Sequence, residues 1–365
     1  MNIQSSIPVR QKASRRRFRS PVEVLVVDDS LTVRTALSRT IDGQEDMRVA
    51  GLANSAEQAI ALLREKRVDV ILLDLEMPGM GGLEALPIIM ELGRGAPVLI
   101  VSSQTTRGAE VTLKALALGA VDTMCKPASG EFDKAYRAEL ADRIRAIAGK
   151  TAKKSSGESG SGDAGLANRH STPPRALAIA GSTGGIHALT LLLSKLPVRM
   201  GVPILVTQHL PGSFMEAFAR QLEAAAGRPA VIAAPGMQIE ADTIYVAPST
   251  GHLMVERDAA RIFTEIDTGP SHSGCRPSAD PMLRSVGEVY GKGAIGVVLS
   301  GMGTDGSFGA RTLAARGGLV FAQDMESSAV WGMPRSVVEA GIVDAVLPPA
   351  EIAGAIARRQ PQWSN

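Results

Sequence analysis

The sequence predicts two doubly wound α/β domains, the second mostly parallel with a small antiparallel hairpin. Three observations carry that expectation. Short apolar runs alternate with stretches of helical spacing in both halves of the chain, the pattern of parallel sheets covered by helices. The segment KTAKKSSGESGSGDAGLANRHSTPPR (150–175) interrupts the alternation; rich in Ser, Gly and Lys, it buries too little apolar surface to offset its ordering entropy and is expected to be a flexible linker. At 365 residues the chain is also long for one domain. Domains are therefore expected at 21–149 and 176–360.

In the first domain, VEVLVV (22–27) opens as a buried strand, followed by a helix over 31–41. Strands are then expected at 47–53, 69–74, 97–102 and 121–126, with helices at 56–66, 83–92 (containing Pro87), 109–119 and near 131–148. In the second domain, strands are expected at 176–181, 203–208, 230–233, 243–247, 294–299 and 318–322. Helices are expected near 184–195, 212–225, 279–290, 306–315 and 333–340. GHLMVERDAARIFTEID (251–267) reads as a hairpin with Asp258 in its turn.

Composition narrows the class. Hydrophobic residues at 45% and charged residues at 21% are ordinary for a globular chain, whereas aromatics at 3% leave the cores to Val, Ile, Leu, Ala and Met. The basic stretch RQKASRRRFRS (10–20) ends an N-terminal arm (1–20) expected to be disordered and solvated. That arm lacks the apolar core of a signal peptide, and no uninterrupted apolar run is long enough to span a bilayer, so a cytoplasmic protein without membrane insertion is expected. Two cysteines, Cys125 and Cys275, indicate neither a disulfide framework nor a Cys-rich zinc site.

Ligand chemistry in doubly wound sheets gathers beyond the carboxyl ends of the strands. In the first domain those ends carry Asp28 and Asp29, then Asp74, Ser102 and Lys126-Pro127. Each alone has a bland explanation, since a strand ending in Asp is often only a helix cap. Together, three carboxylates repel unless a cation sits among them, and hard oxygen ligands suit magnesium. A hydroxyl and a lysine opposite suit a phosphoryl group, with Asp74 its acceptor and Ser102 and Lys126 contacting its oxygens. VLVVDDS, LLDLEMPGMGG, LIVSS and CKP resemble the receiver domain of two-component response regulators over nearly all of 22–148. The resemblance implies a flavodoxin-like, five-stranded parallel sheet and phosphorylation of Asp74 by a histidine kinase. It also implies Mg2+ held by Asp28, Asp29, Asp74 and the backbone carbonyl of Glu76. Thr123 stands where receivers commonly carry Tyr or Phe, and Gly81 where they carry an acidic residue.

The second domain opens on AIAGSTGGI (178–186), an apolar run ending in small residues before a helix. It fits neither phosphate-binding pattern, having no lysine and the wrong glycine spacing. Small residues around Ser182 allow a sharp turn that exposes its hydroxyl where free helix N–H groups also point, the logic of a nucleophile elbow. Of five histidines, His170 falls in the linker, His187 projects elsewhere on the helix after Ser182, and His252 and His272 lie in or near the hairpin and its loop. His209 ends the strand PILVTQHL and shares the sheet edge with Ser182, making it the candidate base. For the orienting acid, Asp305 in LSGMGTDGS is favoured over Asp280, which is expected to cap the helix that follows it. A neutral imidazole is required of the base, so activity is expected to fall as pH drops through roughly 6.5.

AGSTGG, TQHLPGSFMEAFARQL, GCRPSADPML, LSGMGTDG and QDMESSAVWGMP together resemble the catalytic domain of chemotaxis protein-glutamate methylesterases, over about 176–350. A receiver, a linker and this domain, in that order, is also that family's architecture. The resemblance implies Ser182 as nucleophile, His209 as base and Asp305 as its partner, with backbone groups near Thr183 and Met302 as oxyanion candidates and no cofactor in this domain. Cys275 stands where the family often has His. The implied partners are chemoreceptor cytoplasmic domains as substrate and a chemotaxis histidine kinase as phosphodonor. The implied reaction releases methanol from glutamate γ-methyl esters, with glutamine deamidation as a companion and obstruction by the unphosphorylated receiver as control. A regulator that only binds receptor or scaffold is the alternative. Nucleic-acid binding is not expected, because the one Arg cluster precedes the receiver.

Overall fold

A run of Val, Ile and Leu with no polar alternation suits a strand covered on both faces, and Val24–Val27 and Val70–Leu73 are almost wholly buried. In the computed structural model, which describes residues 20–102, 105–127, 132–148 and 172–359, these runs are the central strands of a parallel sheet. The arm expected at 1–20, and the linker at 150–175 with His170, lie almost wholly outside the described residues. The first unit runs β1 (Val22–Val27), α1 (Leu31–Asp42), β2 (Met47–Ala53), α2 (Ala56–Glu65), β3 (Val70–Leu73) and α3 (Gly82–Leu92). It continues with β4 (Val98–Ser102), α4 (Thr106–Leu118), β5 (Asp122–Cys125) and α5 (Lys134–Ala148).

Its strand order is β2-β1-β3-β4-β5, every pair parallel. The order reverses at β1, so a crevice opens between the ends of β1 and β3, where Asp28 and Asp74 stand. Ser30, Ser55 and Thr105 cap α1, α2 and α4, each side chain accepting from a first-turn N–H, a bond worth about 1 kcal/mol. The last helix starts at Lys134 rather than 131, because the Asp133 carboxylate accepts the Tyr136 N–H and fixes the first turn there.

The second unit begins with β6 (Ala176–Gly181), α6 (Gly185–Lys195), β7 (Ile204–Gln208), α7 (Met215–Ala226), β8 (Ala230–Ile232) and β9 (Ile244–Val246). The hairpin β10 (His252–Asp258) and β11 (Arg261–Asp267) follows, then α8 (Ala279–Tyr290), β12 (Ala294–Val298) and α9 (Ser307–Ala315). The unit ends with β13 (Leu319–Gln323), α10 (Met333–Glu339), β14 (Ala345–Leu347) and α11 (Pro349–Ala357). The seven strands are parallel in the order β14-β13-β12-β6-β7-β9-β8. Here the reversal falls at β6, flanked by β7 and β12, so the turn bearing Ser182 lies at the switch point between the loops bearing His209 and Asp305.

Two features depart from expectation. Asp258 is the last paired residue of β10, opposite Arg261, and the turn itself is Ala259-Ala260, with Ala259 at φ 50°. β14 and α11 were not expected: three half-exposed edge residues carry too short a pattern, and α11 acquires its buried face by packing on α6 and β13. The apolar faces of α4, α6 and α7 join one continuous core, so the two units meet across buried Leu113, Leu116, Ile186 and Leu189. No helix among the described residues is long and apolar enough to cross a membrane.

Candidate active site and receiver pocket

The chain must leave β6 and enter α6 within three residues, and the local sequence is built for that. Gly184 has φ 76°, in the left-handed region, and a Cβ there would meet the Ala329 methyl at 2.4 Å and Ser300 Oγ at 2.7 Å. Gly185 makes room for the Gln208 side chain, whose Nε2 donates to the Ser182 carbonyl at 2.8 Å. From below, the Ser182 N–H donates to the Ser300 carbonyl at 3.0 Å and Ser300 Oγ donates to the Thr183 carbonyl at 2.7 Å. The turn is held on both sides while its hydroxyl faces out.

Ser182 Oγ lies 3.2 Å from His209 Nδ1, and His209 Nε2 donates to Asp305 Oδ2 at 2.8 Å. A carboxylate can only accept, so a proton sits on Nε2, and in the neutral imidazole the Nδ1 lone pair is left for the serine hydroxyl. Asp305, 1% exposed, also takes the Ser278 hydroxyl on Oδ1 at 2.6 Å and the Ala279 N–H on Oδ2 at 2.8 Å. Burial opposes its charge, but the His209 bond and these donors outweigh burial and hold its pKa down to about 2. For His209, burial likewise disfavours the charged form, yet hydrogen bonds to Asp305 and Cys275 raise its pKa to about 9. That lies above the reference range of roughly 6.5 expected from sequence, because the burial of the pair and the approach of Cys275 are set by the tertiary structure. Cys275, half-buried, is in turn held below the usual thiol range by the His209 hydrogen bond.

The remaining candidates sort clearly. The N–H groups of Thr183 and Met302 donate to nothing else among the described residues, and Met302 is exposed beside the turn. Asp280 does not cap α8: Ser278 does, accepting the Asp280 N–H, and the Asp280 carboxylate instead accepts the Gly309 N–H and fastens α8 to α9. His252 is buried between the Ser278 N–H and the Gly269 carbonyl, and His272 packs on Phe308. Ser278, Gln208 and Ser300 escaped the sequence reading. The sequence reading put the cap at Asp280, and nothing in the segment showed that Ser278 caps the helix and also reaches Asp305.

In the first unit, Lys126 Nζ lies 2.8 Å from Asp28 Oδ2 and 2.7 Å from Asp74 Oδ2. Burial pushes the Asp74 carboxyl up, opposed by Lys126, while the Lys126 ammonium, disfavoured by burial, is raised by the two carboxylates. One oxygen each of Asp28, Asp29 and Asp74 falls within 4.8 Å of the others, Asp29 being exposed. This all-oxygen set fits a hard cation that keeps several waters. The Glu76 N–H donates to Asp74 Oδ1 at 3.1 Å. Ser102, at the end of β4, has its hydroxyl buried without a partner among the described residues, and its carbonyl takes the Lys126 N–H.

β5 and the residue before it touch the Ser182 turn. The strand's first residue, Asp122, accepts the Thr183 hydroxyl at 2.6 Å, and the Val121 carbonyl accepts the Gly184 N–H at 2.6 Å. His187 donates to the Ala117 carbonyl at 2.8 Å, and Arg220 pairs with Glu110. What separates the units beside Ser182 is a cavity of about 10 Å³, lined by Leu116, Asp122, Ser182 and Gln208 among others, enough for about one water.

Comparison with known proteins agrees with this division. The model of the response regulator receiver domain matches residues 24–136, and that of the CheB methylesterase matches 177–356. The molecule is thus a response regulator whose output unit is a hydrolase. A protein-glutamate methylesterase/protein-glutamine glutaminase of Rhodopseudomonas palustris (strain BisB5) is 37% identical, over 93% of this chain and 94% of its own. One from Paramagnetospirillum magneticum is 35% identical, over 91% and 94%. The crystal structure of the Thermotoga maritima CheB methylesterase catalytic domain aligns at 33% identity with TM-score 0.50, covering 51% of this chain and 99% of that one. The chain belongs to the CheB methylesterase family.

Proposed function

We propose that this chain hydrolyses glutamate γ-methyl esters on the cytoplasmic helices of chemoreceptors, releasing methanol, and that phosphorylation of Asp74 by a chemotaxis histidine kinase controls it. The unbroken line Ser182–His209–Asp305 carries the reading. Residues 21–149 act as the receiver and 176–360 as the catalytic domain, in the cytoplasm where those helices lie.

In this mechanism His209 Nδ1 takes the Ser182 proton as Oγ attacks the ester carbonyl. The resulting imidazolium is stabilised by the Asp305 carboxylate, which Ser278 and Ala279 hold in position. The oxyanion forms against the N–H groups of Thr183 and Met302, donors of a kind worth about 3–4 kcal/mol of barrier each. His209 then gives its proton to departing methanol, and water admitted to the same base hydrolyses the acyl-enzyme. An amide would follow the same course with ammonia leaving, so glutamine deamidation needs no further group.

In the receiver, Asp28, Asp29, Asp74 and the Glu76 carbonyl would hold Mg2+, which when bound offsets charge on phosphoryl oxygens. A phosphoryl group brings roughly −1.5 to −2 charge to Asp74, for which Lys126 and the Ser102 hydroxyl are the near partners. Lys126 sits one residue beyond β5, and Asp122 at the other end of that strand holds Thr183 beside the nucleophile. Displacement of Lys126 toward the phosphoryl group would pull β5 away from the Ser182 turn. Thr123, buried mid-strand without a hydroxyl partner among the described residues, supplies no aromatic ring to relay the change, so the strand itself is the connection.

Methanol release from methylated receptor, with and without a small-molecule phosphodonor, tests the proposal; binding without turnover would defeat it. Asp74→Asn should remove the stimulation while leaving the unstimulated rate. Asp122→Ala removes a charge-assisted contact worth about 1.5–3 kcal/mol and should raise the unstimulated rate about tenfold. An unchanged or lower rate would argue against obstruction by the receiver.

A further inference from the structure

We propose that Cys275, His209 and Asp305 form an inhibitory binding site for a borderline-soft divalent cation of zinc's class. One imidazole nitrogen, the Cys275 sulfur and one carboxylate oxygen all lie within 4.8 Å of one another. Tetrahedral zinc, with bonds of about 2.0–2.3 Å, spaces its ligands roughly 3.3–3.8 Å apart, so no pair need close by more than about 1.5 Å. His209 Nε2 and Asp305 Oδ2, 2.8 Å apart across a proton, open slightly. The movable member is Cys275. Apart from His209, its sulfur makes only a weak contact among the described residues, to the Ser273 carbonyl at 4.0 Å, and it follows Gly274, around which there is open space. The other two are already fixed, Asp305 by Ser278 and Ala279, and His209 by Asp305.

Ligand type sets this cluster apart from the receiver pocket. Three carboxylates select a hard cation, whereas sulfur, imidazole and one carboxylate select zinc or its soft neighbours. The thiolate and carboxylate together balance the ion's charge, the Cys275 thiol proton and the imidazolium proton that His209 Nε2 shares with Asp305 both passing to solvent. A cation there draws on the imidazole that activates Ser182, so occupancy and catalysis exclude each other. No disulfide or structural metal is involved; the site is a reversible brake on the catalytic unit, independent of Asp74. The binding claim does not depend on the ester reading.

Cobalt(II) added to the metal-free full-length protein in excess Mg2+ tests it, because a thiolate bound to cobalt gives a near-ultraviolet charge-transfer band and an all-oxygen site does not. The band is expected in wild type and in Cys125→Ser, and should be missing from Cys275→Ser and Cys275→Ala. On wild type alone, zinc should protect Cys275, and not Cys125, from alkylation by N-ethylmaleimide. Zinc should inhibit hydrolysis with potency reduced at least about tenfold in Cys275→Ser, each variant normalised to its own metal-free rate, and chelation should restore the rate. No charge-transfer band in wild type, a band that persists in Cys275→Ser, or zinc inhibition unaffected by the substitution would each overturn the proposal.

Discussion

Ser182→Ala is expected to lower methanol release by about 10⁶-fold, the scale seen when the nucleophile of such a triad is removed. The loss should fall on kcat, with receptor binding retained, because the hydroxyl's one hydrogen-bond partner among the described residues is His209. Stability should barely change. The turn's fastenings are main-chain groups that alanine preserves: the Ser182 N–H to Ser300, and its carbonyl to the Gln208 amide and the Gly185 N–H. Thermal unfolding run beside the activity assay separates the two effects. A variant keeping more than a tenth of the wild-type rate would mean that another group attacks the ester.

Asp305→Asn is the second large effect, with an expected loss of about 10⁴-fold, because an amide can donate to the imidazole and present the wrong tautomer to Ser182. It carries a pH signature as well. The wild-type imidazole, raised to about 9 by its bonds to Asp305 and Cys275, is protonated at neutral pH. The rate should therefore climb with pH from about 6.5 and level off only near 9, measured as kcat/KM on the free enzyme. In Asp305→Asn the rising limb should move downward toward the reference range, since the charge that favours the imidazolium is gone. The same shift has a stability consequence. The folded pKa exceeds the unfolded one, so the stabilisation is fully present below about 6.5 and is lost as pH rises through about 9. A wild-type profile flat from pH 7 to 9 would show that Asp305 does not hold the imidazole as its geometry implies.

How much of this was legible in the sequence depended on the range of the interaction involved. Strands β3, β6 and β12, and β1 from Val24 onward, declared themselves through unbroken apolar runs, each followed within two residues by one whose type was out of keeping with the run. Asp28, Asp74 and Ser182 were visible for that reason, and His209 because it closes β7 against a Pro-Gly turn. The caps Ser30, Ser55 and Thr105 are local in the structure, each settled within three residues of its partner N–H. β14 and α11 were not legible, since an edge strand of three residues and a helix buried by a distant neighbour leave no periodic mark.

The sequence by itself determined the two sheets, the strand-end residue types and the family to which they point. Only the tertiary structure decided which of those residues touch. It brought Ser278 to Asp305, Cys275 to His209 and Asp122 to Thr183, and it moved the imidazole's titration upward. The physical reason is that a residue's local conformation is fixed by neighbours a few positions away. Its pKa, its partners and its access to substrate are fixed by groups that arrive from loops dozens of residues distant, once both sheets have folded and met.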